Sequence, residues 1–139
     1  MEPLETGKRS FFFGLMGTPY QSDLTTSLMR MVHEALTQGH EVVVWTCGYG
    51  TMLSQRTLIR PPDFFPGKAS ETSGHPTTSA MIQGLIEYSG GRLKWFVCRY
   101  CMEERGAVHQ IEEVSIKIPF TFQHYLNKAD VPIVLGVKS

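Results

Sequence analysis

Residues Phe96 to Ala107, FVCRYCMEERGA, set Cys98 and Cys101 as a C-x-x-C pair at the end of an apolar run. A cysteine acts as a nucleophile in its thiolate form, which is favoured beside cations and at helix N-termini. Arg99 adjoins Cys98 and Arg105 lies seven residues on, so either guanidinium could lower the thiol pKa, while Glu103 and Glu104 oppose it. The spacing alone leaves three readings open. Cys98 is a working thiol, one half of a zinc or disulfide pair, or a small buried hydrophobe, since free cysteine is among the most buried residue types.

Other chemistries are harder to place. Structural zinc needs four ligands, commonly supplied as two paired units. This chain has one C-x-x-C, and His33, His40, His75, His109 and His124 are scattered, so no metal is expected. His75, in a long loop, and His109, beyond the Gly106 turn, are the histidines that could approach Cys98. A thioredoxin-like C-x-x-C follows the first strand and opens a long helix, whereas here it comes late and Gly106 interrupts MEERGAVHQ. Neither GLMGTPY nor GYG matches a phosphate-binding glycine loop, and the order of residues picks out no Ser–His–Asp set. No cofactor is expected. Trp45, Trp95, Phe120, Phe122 and the FFP stretch fit core or subunit contact better than a binding box.

The elements that must carry these residues alternate. SFFFGLM, Ser10 to Met16, is a continuous apolar run, the pattern of a strand buried on both faces. GTPYQSD turns the chain, and Ser22 or Asp23 can cap a helix whose apolar positions are Leu24, Leu28, Met31, Val32, Ala35 and Leu36, closed by Gly39. EVVVWT is a second strand, giving a right-handed βαβ unit. Thr51 to Leu58 is read as a short helix. Thr77 or Thr78 caps a helix with Met81, Ile82, Leu85, Ile86 and Tyr88, ended by Gly90 and Gly91. LKWFVC is a third strand, Met102 to Ser115 is ambiguous, FTFQHYLNKA reads as helix, and VPIVLGV closes the sheet with Pro132 marking an edge. The expected fold is therefore α/β, one three-layer domain with a mainly parallel sheet flanked by helices.

In open parallel sheets, ligands gather beyond the carboxyl ends of the strands. Three turns end there: GTPYQSD, TCGYGT and CRYCMEERG. They put forward Thr18, Tyr20, Cys47, Tyr49 and Arg99 as substrate-binding candidates beside Cys98, Cys101 and Arg105, and Cys47 ends the strand that precedes the Cys98 strand in the alternation.

Bulk properties narrow the class. The 139 residues are 42% apolar and 19% charged, with 13 basic and 13 acidic residues. That fits one domain over residues 10–139 behind a polar tail at 1–9, and the absence of a basic excess argues against nucleic acid as a partner. The apolar runs fall far short of the roughly 18–20 residues of a membrane span. MEPLETGKRSFFFGLMG has no cleavable-looking signal, and three cysteines make no disulfide framework. A cytoplasmic protein is expected. Residues 60–76, with four prolines and two glycines, are too long for an ordinary connection and read as a functional or mobile loop.

Taken in order, GLMGTPYQSD, GHEVVV, WTCGYGT, VCRYCMEERGAV and LNKADVPIVLG resemble the DsrE/TusD-type sulfur-relay family, with its DsrE/DsrF-like α/β fold. The family's pattern is a strand ending in cysteine with Arg-Gly about eight residues later, and Cys98, Arg105 and Gly106 fall on it. The resemblance implies that Cys98 takes up sulfane sulfur as a persulfide and passes it to a partner thiol. Cys101 is then either a resolving thiol or a bystander, since not all members have it, and Cys47 is a further candidate for resolving. It also implies donor and acceptor proteins or small thiols as partners, and a homo-oligomer, a trimer or hexamer. The chain departs from the pattern in the Pro-rich segment and in IKIPFTFQHYL, which lacks the small-residue turn before the last helix. Two other readings stand beside this one. One is a non-catalytic oligomeric binding or assembly protein of the same fold, and the other a cytosolic thiol–disulfide reductase cycling a Cys98–Cys101 disulfide.

Overall fold

A computed structural model of the chain describes residues 7–19, 23–58 and 76–136. The apolar run Ser10–Met16 forms β1, and its alternate side chains enter two separate cores. Phe13 and Leu15 face one, and Phe12 faces the other. That is why the run is apolar without a polar alternate.

Helix α1, Leu24–Thr37, follows the turn and buries Thr25, Leu28, Val32, Ala35 and Leu36 on one side. Each fully buried aliphatic side chain contributes about 1.5–3 kcal/mol. Asp23 occupies the N-cap position, but its side chain makes no cap bond, and Ser22 lies outside the described residues. Gly39 ends the helix as expected, at φ +87°, where an L side chain is strained. The His40 N–H then returns to the Ala35 carbonyl at 3.0 Å.

β2, Glu41–Thr46, pairs parallel with β1. The expected helix over Thr51 to Leu58 is instead a 3₁₀ turn at Gly48–Ser54. It starts earlier because Gly48, at φ +58°, turns the chain directly after β2. It stops because the backbone of residues 54–56 is claimed by another segment: the Ile111 N–H reaches the Ser54 carbonyl at 3.0 Å, and the Arg56 N–H reaches that of His109 at 2.8 Å. The proposed loop at 60–76 lies outside the described residues except for Pro76.

Helix α2, Thr78–Ser89, is capped by Thr77, whose hydroxyl accepts from the Ala80 N–H at 3.1 Å, and ends on Gly90 at φ +59°. β3, Leu93–Cys98, runs straight into the six-residue helix α3, Arg99–Glu104. Gly106, at φ +68°, separates α3 from the segment that pairs with residues 54–56. Thus the ambiguous stretch resolves into helix, turn and the short strand β4, Ser115–Lys117. A 3₁₀ turn at Pro119–Thr121 leads into α4, Phe122–Lys128, and β5, Val131–Gly136, ends the described chain.

The five strands are all parallel, in the order β4-β3-β2-β1-β5. β5 is an edge strand, so the missing N–H of Pro132 breaks no ladder on its outer side. Helices α1 and α2, the 3₁₀ turn and Met102 of α3 cover one face. On the other, α4 lays Phe122, Tyr125 and Leu126 over Phe12, Trp45 and Phe96. This is the expected three-layer α/β fold. Among the described residues no helix is long and apolar enough to cross a membrane.

Candidate functional site

β2 and β3 are neighbours in register, Thr46 opposite Val97, so the residues that follow them emerge side by side at the carboxyl end of the sheet. Cys47 ends one strand and Cys98 the other. The i, i+3 spacing on α3 then returns Cys101 to the same place. The three sulfurs lie within 4.8 Å of one another. All three thiols are free. Cys98 is buried at 1% exposure, and Cys47 and Cys101 are half-buried.

Two hydrogen bonds hold the strand ends together. The Thr46 hydroxyl donates to the Phe96 carbonyl at 2.9 Å, and the Cys47 N–H donates to the Leu15 carbonyl at 2.9 Å. Gln110 ties the 3₁₀ turn to the exit of α3, its amide donating to the Thr51 carbonyl at 2.9 Å and the Ala107 carbonyl at 2.7 Å. The turns after β1 and β2 also touch. A Cβ on Gly48 would meet the Gly17 nitrogen at 3.3 Å. Thr18 follows Gly17 in the same turn.

The site is walled by aromatic rings. Cys98 belongs to a buried cluster with Phe12, Trp45 and Phe96, packed by Phe122 and Tyr125. Trp45 Nε1 donates to Cys47 Sγ at 2.9 Å. The Lys117 ammonium lies 5.0 Å from the Phe96 ring centre and 5.9 Å from that of Tyr125, a cation–π arrangement.

Burial sets the proton affinities. It pushes the Cys47 thiol up from 9.0 to about 12, against the Trp45 N–H, which favours the thiolate. Burial likewise pushes Cys98 up, while the backbone N–H groups of Cys101 and Tyr100 at the start of α3 favour its thiolate. The lowering of Cys98 expected from Arg99 and Arg105 is thus reversed in direction. The reason lies in where those arginines go. Arg99 Nε donates to Glu103 Oε1 at 2.9 Å on the exposed side of α3. Arg105 reaches Glu104 at 3.4 Å and the Cys101 carbonyl at 3.5 Å, with its guanidinium 4.8 Å from the centre of the exposed Tyr49 ring.

Cys47, Cys98 and Cys101 are therefore brought together. Arg105 and Tyr49 pack on each other, and Arg99 points to solvent. Tyr20 and His75 lie outside the described residues. His109 contributes its carbonyl to Arg56. Sequence reasoning passed over the Trp45–Cys47 bond and the Lys117 and Tyr125 contacts. The i, i+2 spacing of Trp45 and Cys47 and the i, i+4 spacing of Arg99 and Glu103 were the available signals.

A parallel α/β sheet with a cysteine cluster at its carboxyl edge defines the class. The sequence pattern of the DsrE/DsrF-like family matches residues 9–135, and the chain belongs to that family. A search of curated protein sequences gives no match. Among solved structures, the crystal structure of the ychN protein from E. coli is similar in fold, with a TM-score of 0.71 at 14% identity, covering 91% of this chain and 99% of that one.

Proposed function

We propose that the protein is a sulfur carrier that takes up sulfane sulfur as a persulfide on Cys98 and passes it to a partner thiol. The observation that carries this reading is the position of Cys98 in a DsrE/DsrF-like chain, at the carboxyl end of β3 with two further thiols within 4.8 Å. In uptake, the Cys98 thiolate attacks the terminal sulfur of a donor persulfide. A new S–S bond forms, the donor S–S bond breaks, and the donor leaves as its thiolate. Delivery repeats the exchange with an acceptor thiolate, so there is no net oxidation. Should no acceptor arrive, Cys101 or Cys47 attacks Cys98, releasing sulfide and leaving a disulfide.

Arg105 acts as a positioning residue, holding the Cys101 end of α3 and packing on Tyr49. Thr18, Tyr49 and Arg99 form the rim that meets donor and acceptor, which are proteins or small thiols in the cytoplasm, and the working form is a homo-oligomer. The near-complete burial of Cys98 favours a second reading, in which the thiols serve packing in an oligomeric assembly protein of the same fold.

Intact-mass measurement after exposure to a persulfidated donor separates the two. The carrier gains one sulfur, Cys98→Ser gains none, and Cys101→Ser still loads but releases sulfur differently. A wild-type chain that stays bare while folded sinks the carrier reading.

A further inference from the structure

The relay uses Cys98 and at most one partner thiol at a time, yet three sulfurs converge within 4.8 Å, and among the described residues no histidine or carboxylate joins the group. We propose that Cys47, Cys98 and Cys101 together bind one trivalent thiophilic metalloid, arsenic(III) or antimony(III), as a neutral tris-thiolate. This site does not depend on the relay.

Geometry supports a shared centre. Bonds of about 2.3 Å from sulfur to a central atom hold the sulfurs roughly 3.5–4 Å apart, so the widest pair, within 4.8 Å, closes by about 1.3 Å at most. The two half-buried side chains, Cys47 and Cys101, are the ones free to make that adjustment. Their backbones come from the end of β2 and from α3, and Gln110 ties together the segments that follow these two elements, at Thr51 and Ala107.

Charge selects the class of centre. The cluster is walled by Trp45, Phe96, Phe122 and Tyr125, where an uncompensated charge is costly. Three thiolates around a monovalent ion leave two negative charges, and around a divalent ion one. Around a trivalent centre they leave none. Two nearby cations are paired with carboxylates, Arg99 with Glu103 and Arg105 with Glu104, and Lys117 stays on the outer side of the wall, over the Phe96 and Tyr125 rings. Coordination number points the same way. Zinc takes four ligands, whereas trivalent arsenic is satisfied by three sulfurs in a pyramid. All-sulfur donation also excludes hard cations.

The reaction balances without an oxidant. As(OH)₃ and three S–H groups give As(S–Cys)₃ and three waters. Three S–H and three As–O bonds break, three As–S and three O–H bonds form, and arsenic stays trivalent.

The test uses the full chain, reduced and free of any sulfur donor, with sodium arsenite, zinc chloride and phenylarsine oxide as separate probes in native mass spectrometry. The wild-type chain is expected to gain one arsenic with loss of three hydrogens, and to prefer arsenite to zinc. Cys47→Ala weakens arsenite by about tenfold or more. It still takes phenylarsine oxide, which needs two thiols, so Cys98 and Cys101 remain accessible, and an unchanged circular-dichroism spectrum shows that the variant is folded. An adduct that loses only two hydrogens, an arsenite affinity unchanged in Cys47→Ala, or a preference for zinc overturns the proposal.

Discussion

The indole Nε1 of Trp45 donates to the sulfur of Cys47 across 2.9 Å, two residues along the same extended chain. A fully buried tryptophan normally finds a partner for its N–H, and here the partner is one of the three clustered thiols. Trp45→Phe keeps a ring in the core and removes the donor. The Cys47 thiol is then expected to lose reactivity at a given pH, because the bond that favours its thiolate is gone. The smaller ring leaves a cavity costing about 1–3 kcal/mol. Alkylation of Cys47 against pH, with urea unfolding alongside, checks both. A Cys47 that becomes more reactive contradicts the account.

Sulfur uptake should accelerate with alkalinity. Burial holds the Cys98 pKa above the ordinary cysteine value of 9.0, so its thiolate fraction is still growing through pH 7 to 9. The loading rate with a small persulfide donor should climb by about tenfold per pH unit in that range. A plateau near neutrality would mean that Cys98 is already ionised.

The same burial predicts an alkaline limb in stability. The folded-state pKa of Cys47 is raised, from 9.0 to about 12. Above pH 9.0 the unfolded chain ionises first. The contribution is therefore fully present below 9.0 and is lost as pH rises towards 12. Cys47→Ala should show a shallower fall in melting temperature over that window. Identical slopes for the two proteins would refute this.

Asp130 gives the opposite sign. Its carboxylate accepts from the Ser10 N–H at 2.8 Å and the Ser10 hydroxyl at 3.2 Å, which holds its pKa below the usual 3.8. These bonds join the start of β5 to the start of β1. Their contribution is present above pH 3.8 and fades as acid protonates the folded carboxylate. Asp130→Ala should be less stable than wild type at pH 7, with the gap narrowing below pH 4. A gap that persists unchanged in acid would assign the effect to something other than the charge.

Two glycines with similar φ should differ in cost. Gly48, at φ +58°, leaves its Cβ position 3.3 Å from the Gly17 nitrogen, whereas Gly90, at φ +59°, has nothing within 4 Å. Gly90→Ala is expected to cost about 1 kcal/mol, for the backbone conformation alone. Gly48→Ala should cost about 1–3 kcal/mol and displace Cys47 beside it, which slower cross-linking of Cys47 to Cys98 by a short dithiol reagent would register. Equal costs would show that the close approach to Gly17 is unimportant.

Much of the scaffold was legible because its signals are local. The β1 and β2 runs, the Gly39 and Gly90 stops and the Thr77 cap each lie within a few residues of what they specify, and Pro132 marked β5 as an edge. The thiol meeting point was legible in part, since Cys47 and Cys98 each end a strand. That those strands are neighbours is a matter of sheet order. What escaped was non-local or long-armed. The 3₁₀ turn is cut short by residues 109–111, over fifty positions away. β4 is three residues long, too few for a period-2 pattern. Proximity in sequence pairs Arg99 and Arg105 with Cys98. Helical geometry instead carries Arg99 to Glu103, and Arg105 folds back onto Tyr49.

The central claim is that Cys98, rather than either neighbour, carries the sulfur. The most direct measurement is peptide mapping of the reduced wild-type chain after brief exposure to a persulfidated donor, with every cysteine-containing peptide quantified. The account predicts the added sulfur on the Cys98 position, distinguished from Cys101 by fragmentation, and the Cys47 peptide bare at the earliest times. Sulfur appearing first on Cys47 or Cys101, with Cys98 unmodified, would contradict it.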